Sequence, residues 1–291
     1  MTDSMTLDDD RAVRCVVDVD GVPMSALVRD VADPRAVIVA LHGGGATARY
    51  FHHPGQPRSS LLNAGAALGF TVVALDRPGY GGSGPDGAHL ASPRRRTELA
   101  YGALERLLGT GGRGAGLFVL AHSAGCELAL RMAGDGHGWN LLGLELSGTG
   151  LRYHPLAEDI LGNGEPGKRP SGLRSLLWHP PRLYPGGVAL GLRFAGASPG
   201  YEGEVVAHWT ERDFPALAAR VRVPVHFTVA DHEVIWRNDA GAVAALFTAS
   251  PRVVTHEMTE SGHNLSVGRS ALAYHLRILS FVEECVLAGQ G

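Results

Sequence analysis

The residues best suited to chemistry lie in two short stretches far apart in the chain. The first is Ala121-His122-Ser123-Ala124-Gly125. A short apolar run, GLFVLAH (116–122), leads into a helical pattern, AGCELALRMAG (124–134), and a single hydroxyl stands at the junction. Small residues two positions to either side of Ser123 let a strand and a helix close around a strained turn. That turn projects the hydroxyl beyond the end of the strand. The pattern departs from G-x-S-x-G only in Ala121, which is still small. The same five residues also describe a serine that caps a helix, so the pentapeptide needs support from elsewhere. A serine hydroxyl is a weak nucleophile near neutrality. It needs a base within hydrogen-bond reach, and the base needs an orienting acceptor. The second stretch, Glu260-Ser261-Gly262-His263-Asn264, offers that base. The chain has 14 histidines, so residue type does not select His263; its place just past the last strand pattern does.

Those two stretches are meaningful only if the fold brings them together. Residues 12–30 alternate weakly and are split by Asp20-Gly21, which predicts a hairpin. AVIVALH (36–42), FTVVALD (70–76), GLFVLAH (116–122), LLGLELS (141–147), VPVHFTVAD (223–231) and PRVVTHEMT (251–259) read as further strands, most of them buried on both faces. Helical spacing occupies 59–69, 94–108, 124–134, 238–248 and 269–288. Strands alternating with helices predict an α/β fold, with a mostly parallel sheet covered on both faces. In such a sheet the loops after the strands open at one end, and both Ser123 and His263 follow strands. Residues 150–215 break the rhythm. They are rich in Gly, Pro, aromatic residues, His and Arg, without a strand pattern, and read as an inserted cap. The expected division is a core of 1–149 and 216–291 with a cap or lid of 150–215.

Composition narrows the function classes. With 291 residues, 45% hydrophobic and 19% charged, the chain can bury a large core and is not disordered. A net charge of −3 makes a poor polyanion binder, so nucleic acid is not an expected partner. No apolar run reaches the about 18 residues that a membrane helix needs. The start, MTDSMTLDDDR, is acidic where a signal peptide would be basic, which predicts a cytoplasmic protein. Cys15, Cys126 and Cys285 are too scattered for a disulfide framework or a zinc site, and Cys126 reads as core. His52-His53 and His232-Glu233 lack metal-ligand spacing, so no metal is expected. Residues 79–84 fit G-x-G-x-x-G, but no helix pattern opens there, which argues against a dinucleotide site. Arg94, Arg95 and Arg96 read as a solvated helix face, with a docking point for a carrier phosphate as the second reading.

The sequence as a whole resembles the α/β-hydrolase fold family, in its capped esterase-like and thioesterase-like branch. Four stations carry the likeness over about 35–290: His42-Gly43-Gly44-Gly45, Asp76-Arg77-Pro78-Gly79-Tyr80-Gly81-Gly82-Ser83, the Ser123 turn, and Gly262-His263. The resemblance implies an eight-stranded sheet with the cap between the sixth and seventh strands. It implies Ser123 as nucleophile and His263 as base. For the acid it points to Glu233, in Ala230-Asp231-His232-Glu233, with Asp231 as the alternative. For the oxyanion donors it points to the backbone N–H groups of Ala124 and Gly44, with Gly43 or Gly45 if the loop is shifted; His42 reads as an anchor of that loop. No cofactor is implied. The expected reaction is hydrolysis of a carboxylic ester or thioester through an acyl-enzyme, on a small acyl substrate that is free or borne by a carrier protein or coenzyme A. Acyl transfer or cyclisation in bacterial natural-product synthesis is the alternative on the same site, and a non-catalytic ligand binder is the alternative of another class. Epoxide-opening branches attack with a carboxylate, and a serine stands here. In the cap, Trp178, Tyr201, His208 and Trp209 are the expected substrate contacts. Tyr153, His179, Tyr184 and Phe194 are further candidates for an apolar wall, and Arg174, Arg182 and Arg193 for an acidic substrate group.

Overall fold

A computed structural model describes residues 12–53, 56–85, 87, 90–135, 138–161, 170–186, 188 and 198–289. Its centre is an eight-stranded sheet in the order β1-β2-β4-β3-β5-β6-β7-β8. The strands are β1 (Val13–Val19), β2 (Val22–Arg29), β3 (Val37–Leu41), β4 (Thr71–Leu75), β5 (Leu117–His122), β6 (Leu141–Ser147), β7 (Val225–Ala230) and β8 (Val253–Met258). β2 runs antiparallel to both of its neighbours, and the pairings from β4 through β8 are parallel. The Asp20-Gly21 turn joins β1 to β2, with Asp20 at φ +53° and Gly21 at φ +83°.

The continuous apolar runs have a direct cause. In β3, Val37, Val39 and Leu41 enter one core layer, while Ile38 and Ala40 enter the other. β5 divides in the same way, Leu117, Val119 and Ala121 against Phe118 and Leu120. A strand covered on both faces needs no polar alternation. The edge strands β1 and β8 keep exposed positions instead.

Helices α1 (Leu61–Ala67), α2 (Pro93–Leu108) and α3 (Gly125–Asp135) follow β3, β4 and β5. Between β6 and β7 the chain makes α4 (Pro155–Leu161), α5 (Leu173–Leu177), α6 (Tyr201–His208) and α7 (Phe214–Ala218). Helices α8 (Ala240–Ala244) and α9 (Ala271–Ala288) complete the order. α2, α3 and α7 pack on one face of the sheet, and α1 and α9 on the other. Helix α8 is shorter than the spacing at 238–248 predicts: Val243 and Phe247 still reach the core, but the chain turns out of the helix after Ala244. No helix among the described residues is long and apolar enough to cross a membrane.

The arginine run is not a solvated face throughout. Arg96 turns inward and is buried, donating to Glu127 Oε1 at 3.0 Å and lying over the Tyr201 ring. Arg94 and Arg95 do lie outward, paired with Glu98 and Asp20.

Candidate active site

β5 delivers Ser123 at the carboxyl end of the sheet. Its φ is +52°, the left-handed region, which costs a residue with a Cβ about 1–2 kcal/mol. The turn is held by Ser123 N–H donating to Ser147 O at 2.8 Å and by Cys126 N–H donating to Ser123 O at 2.9 Å. Gly125 is required for close approach: a methyl group there would lie 2.6 Å from Leu41 O and 2.7 Å from His42 O. Cys126 is buried, as expected, and burial pushes its thiol up to about 12.

The loops after β7 and β8 carry the imidazole and its acceptor. His263 Nδ1 lies 2.8 Å from Glu233 Oε2, and both side chains are buried. The other Glu233 oxygen accepts the Ile235 N–H at 2.8 Å. Burial alone would raise the Glu233 pKa. The charge and hydrogen bond of His263 and the N–H groups of Ile235 and Trp236 outweigh it and hold the carboxyl below its ordinary value. Asp231 goes elsewhere: its oxygens accept the backbone N–H groups of Glu260 and Ser261, each at 2.9 Å. His263 Nε2 is buried and has no hydrogen-bond partner among the described residues. A neutral imidazole that donates from Nδ1 leaves Nε2 as a lone-pair acceptor, the state a general base requires.

Residues 177–184 brace this loop. Asn264 N–H donates to Tyr184 OH at 3.1 Å, and Asn264 Nδ2 to Leu177 O at 2.7 Å. A methyl group at Gly262 would lie 2.1 Å from His179 O, so only glycine fits. His122 fills the space behind, stacked on Tyr50 and edge-on to His263 with centroids 4.9 Å apart. Burial, then the neighbouring His263, hold His122 well below its ordinary pKa, so it is neutral.

The loop after β3 holds the glycines. His42 Nε2 accepts the Arg77 N–H at 3.1 Å. Its Nδ1 must therefore carry the proton, which goes to Gly43 O at 2.8 Å. Burial, then Arg77, keep His42 neutral. It anchors the loop and lines neither of the two small cavities at Ser123. Gly45 N–H donates to Tyr80 OH at 2.9 Å and so is spent. For the N–H groups of Gly43 and Gly44 the described residues show no acceptor. Gly43 packs on the serine turn, where an added methyl would lie 3.1 Å from Ser123 Cβ. At Gly44 it would lie 3.8 Å from Ala124 Cβ.

Two small cavities meet at Ser123. One, of about 90 Å³, is walled by Ala124, Thr149, Tyr153, Tyr201, Val205, Trp209 and Trp236, with Glu127 and Glu202 at its polar side. The other, of about 30 Å³, is lined by Gly43, Gly44, His263, Trp178 and Leu177 among others. Trp178, Tyr201 and Trp209 thus reach the site. Trp209 also joins the core beneath it and donates to Thr149 Oγ1 at 2.8 Å. His208 does not reach it: it is exposed at the end of α6 and lines neither cavity. Arg182 is also turned away, paired with Glu260 at the surface. Phe194 and Arg193 lie outside the described residues. Residues 79–84 open no helix; Gly81–Ser83 is a single tight turn.

Residues 38–273 match the alpha/beta hydrolase family. The chain belongs to that family. Solved structures agree in fold. A monoacylglycerol lipase of Paleococcus ferrophilus superposes with a TM-score of 0.64 at 19% identity, covering 90% of this chain and 99% of its own. A proline iminopeptidase of Mycobacterium smegmatis gives 0.65 at 16%, covering 95% and 99%. An epoxide hydrolase of Vigna radiata gives 0.61 at 17%, covering 94% and 98%. No curated protein sequence matches the chain significantly. The bond that such proteins cleave differs from one to the next, so fold does not select the substrate.

This alpha/beta hydrolase has a further buried group that sequence reasoning did not single out. Arg77 donates to Glu202 Oε1 at 2.6 Å, across 125 residues of chain. No spacing rule links an arginine after β4 to a glutamate in α6. Trp236, which donates to Gly148 O at 2.9 Å and stacks on Tyr153, was equally invisible, since it follows the acid loop without any pattern.

Proposed function

We propose that the protein is a serine hydrolase that cleaves a carboxylic ester or thioester through an acyl-enzyme. In this reading Ser123 attacks the carbonyl carbon, and its proton passes to His263 Nε2. Glu233 holds the ring in the Nδ1–H tautomer and stabilises the imidazolium. The N–H groups of Ala124 and Gly44 stabilise the oxyanion, with Gly43 as the neighbouring donor; such preformed donors are worth about 3–4 kcal/mol each. The leaving group takes the proton from His263 as the tetrahedral intermediate collapses. Water, deprotonated by His263, then attacks the acyl carbon and releases the acid and Ser123.

The observation that carries the reading is the unpartnered Nε2 of His263, which lines the same cavity as Ser123 while Glu233 fixes its other nitrogen. A serine rather than a carboxylate at the turn separates this reading from epoxide opening. The segment 150–215 acts as the cap, since its aromatic residues wall the larger cavity. That cavity suits a short acyl group. It is smaller than the about 150 Å³ that admits benzene in an engineered apolar site.

Stopped-flow hydrolysis of p-nitrophenyl butyrate tests the mechanism. A burst of p-nitrophenol equal to the enzyme concentration, followed by a slower steady rate, is expected where deacylation limits. Absence of turnover with both oxygen esters and thioesters of graded length would overturn it.

A further inference from the structure

Glu202 sits in α6, between β6 and β7, yet its carboxylate reaches the loop after β3. It is 8% exposed. Oε1 accepts Arg77 Nη2 at 2.6 Å, and Oε2 accepts Tyr80 OH at 2.8 Å. A methyl group added at Gly44 would lie 3.2 Å from that Oε2. The carboxylate therefore lies beside the backbone that faces Ser123.

Its two partners each hold one end of the glycine loop. Arg77 Nε donates to His42 O at 2.6 Å. Tyr80 OH accepts the Gly45 N–H at 2.9 Å. A trans peptide sets its C=O and the following N–H on opposite sides. Arg77 on His42 O therefore turns the Gly43 N–H away, and His42 Nδ1 on Gly43 O does the same for the Gly44 N–H. Three consecutive glycines would otherwise sample many peptide orientations. A bare carboxylate beside a developing oxyanion would oppose it, and the paired Arg77 guanidinium cancels that charge.

We propose that Glu202 is a positioning residue for oxyanion stabilisation: through Arg77 and Tyr80 it fixes the peptide planes of residues 42–45, so that α6 must be seated for the donor set to form. The proposal rests on the serine-hydrolase reading above. It assigns to α6 a part in the chemical step beyond walling the cavity. Tyr80 is the relay, because its hydroxyl accepts the Gly45 N–H and donates its own hydrogen bond to Glu202. Burial, then Glu202, raise the Tyr80 pKa despite Arg77, which keeps the relay protonated.

The test compares an aryl ester with its thionoester, in which sulfur replaces the carbonyl oxygen. Sulfur is a poor hydrogen-bond acceptor, so the ratio of the two kcat/KM values reads donor geometry at that atom. The proteins are the unaltered chain, Glu202→Gln, Tyr80→Phe, and Glu204→Gln, the last at an exposed position of the same helix. Glu202→Gln is expected to lower kcat on the ester about 10- to 100-fold with KM changed less than about three-fold, and to shrink the ester preference at least about five-fold. Tyr80→Phe leaves the Arg77 pair in place and is expected to move the ratio in the same direction. Glu204→Gln is expected to move neither. A change confined to KM, or a loss of kcat with an unchanged ratio in folded Glu202→Gln and Tyr80→Phe, overturns the proposal. No turnover of either oxygen esters or thioesters by the unaltered protein overturns the serine-hydrolase reading itself, and the proposal with it.

Discussion

Glu233 and His263 meet at 2.8 Å across the loops that follow β7 and β8. Asp231, two residues before Glu233, instead accepts two backbone N–H groups of the loop that carries His263. One carboxylate orients the ring and the other shapes the loop.

That division gives the first prediction. Glu233→Ala is expected to lower kcat/KM on a p-nitrophenyl ester by on the order of 10³–10⁴, because the required tautomer is no longer held. Asp231→Ala is expected to lose about 1–3 kcal/mol of stability through the unsatisfied loop N–H groups, while keeping kcat within about ten-fold at a temperature where it is folded. Steady-state kinetics and denaturant melts on both variants check the pair. Reversed roles would show as the larger kinetic loss in Asp231→Ala.

Ser123, the nucleophile of the proposed mechanism, stands at a strained backbone position with φ +52°. Both Ser123→Ala and Ser123→Gly are expected to lose turnover by about 10⁴-fold or more. They should differ in stability. Alanine keeps the left-handed penalty of about 1–2 kcal/mol, and glycine removes it at an entropic cost of about 0.5–1 kcal/mol. Ser123→Gly is therefore expected to be the more stable by roughly 0.5–1 kcal/mol. Urea titrations of the two inactive variants measure that difference directly.

His275 in α9 makes stability depend on acid. Burial pushes its pKa down from 6.5 to about 3. Between those values the unfolded chain binds a proton that the folded chain does not, so stability falls as pH drops from 6.5 toward 3. Over pH 6.5 to 4 the loss from this residue is about 3 kcal/mol. His275→Phe is expected to flatten that part of the stability–pH curve, whatever its effect at pH 7. Denaturant melts at pH 7, 5.5 and 4 provide the slope, and an equal slope in the variant would count against the assignment.

Trp236 walls the cavity beside Ser123, and on the proposed function it would limit acyl length. Trp236→Ala opens the cavity next to Ser123 and is expected to raise the kcat/KM of an octanoyl ester relative to an acetyl ester by about ten-fold or more, since each accommodated methylene is worth about 1–3 kcal/mol. A chain-length series on both proteins reads the shift.

Much of this was legible in the sequence, and the reason is physical. β3, β5 and β7 announce themselves because both of their faces are buried, and Asp20-Gly21 because its turn needs positive φ. Ser123 and His263 are readable because each follows a strand, and strand ends share one side of a parallel sheet. Glu233 and Asp231 could not be separated by residue type: the choice lies in which backbone N–H groups surround each, and those come from Ile235 on one side and from Glu260 and Ser261 on the other. The Arg77–Glu202 pair was invisible, because a long-range ion pair leaves no local pattern. Arg96 misled, since a run of three arginines looks solvated although the first turn of α2 points one of them inward to Glu127. His208 misled as well, since composition names the aromatic residues of a segment but not the face they take.

The most direct test of the central claim is covalent. Intact-protein mass after exposure to a fluorophosphonate, followed by peptide mapping, reports whether Ser123 is an activated nucleophile. One adduct per chain on Ser123, formed far more slowly in His263→Ala, is the predicted result. A folded protein that gains no adduct, or gains it on another residue, would contradict the account.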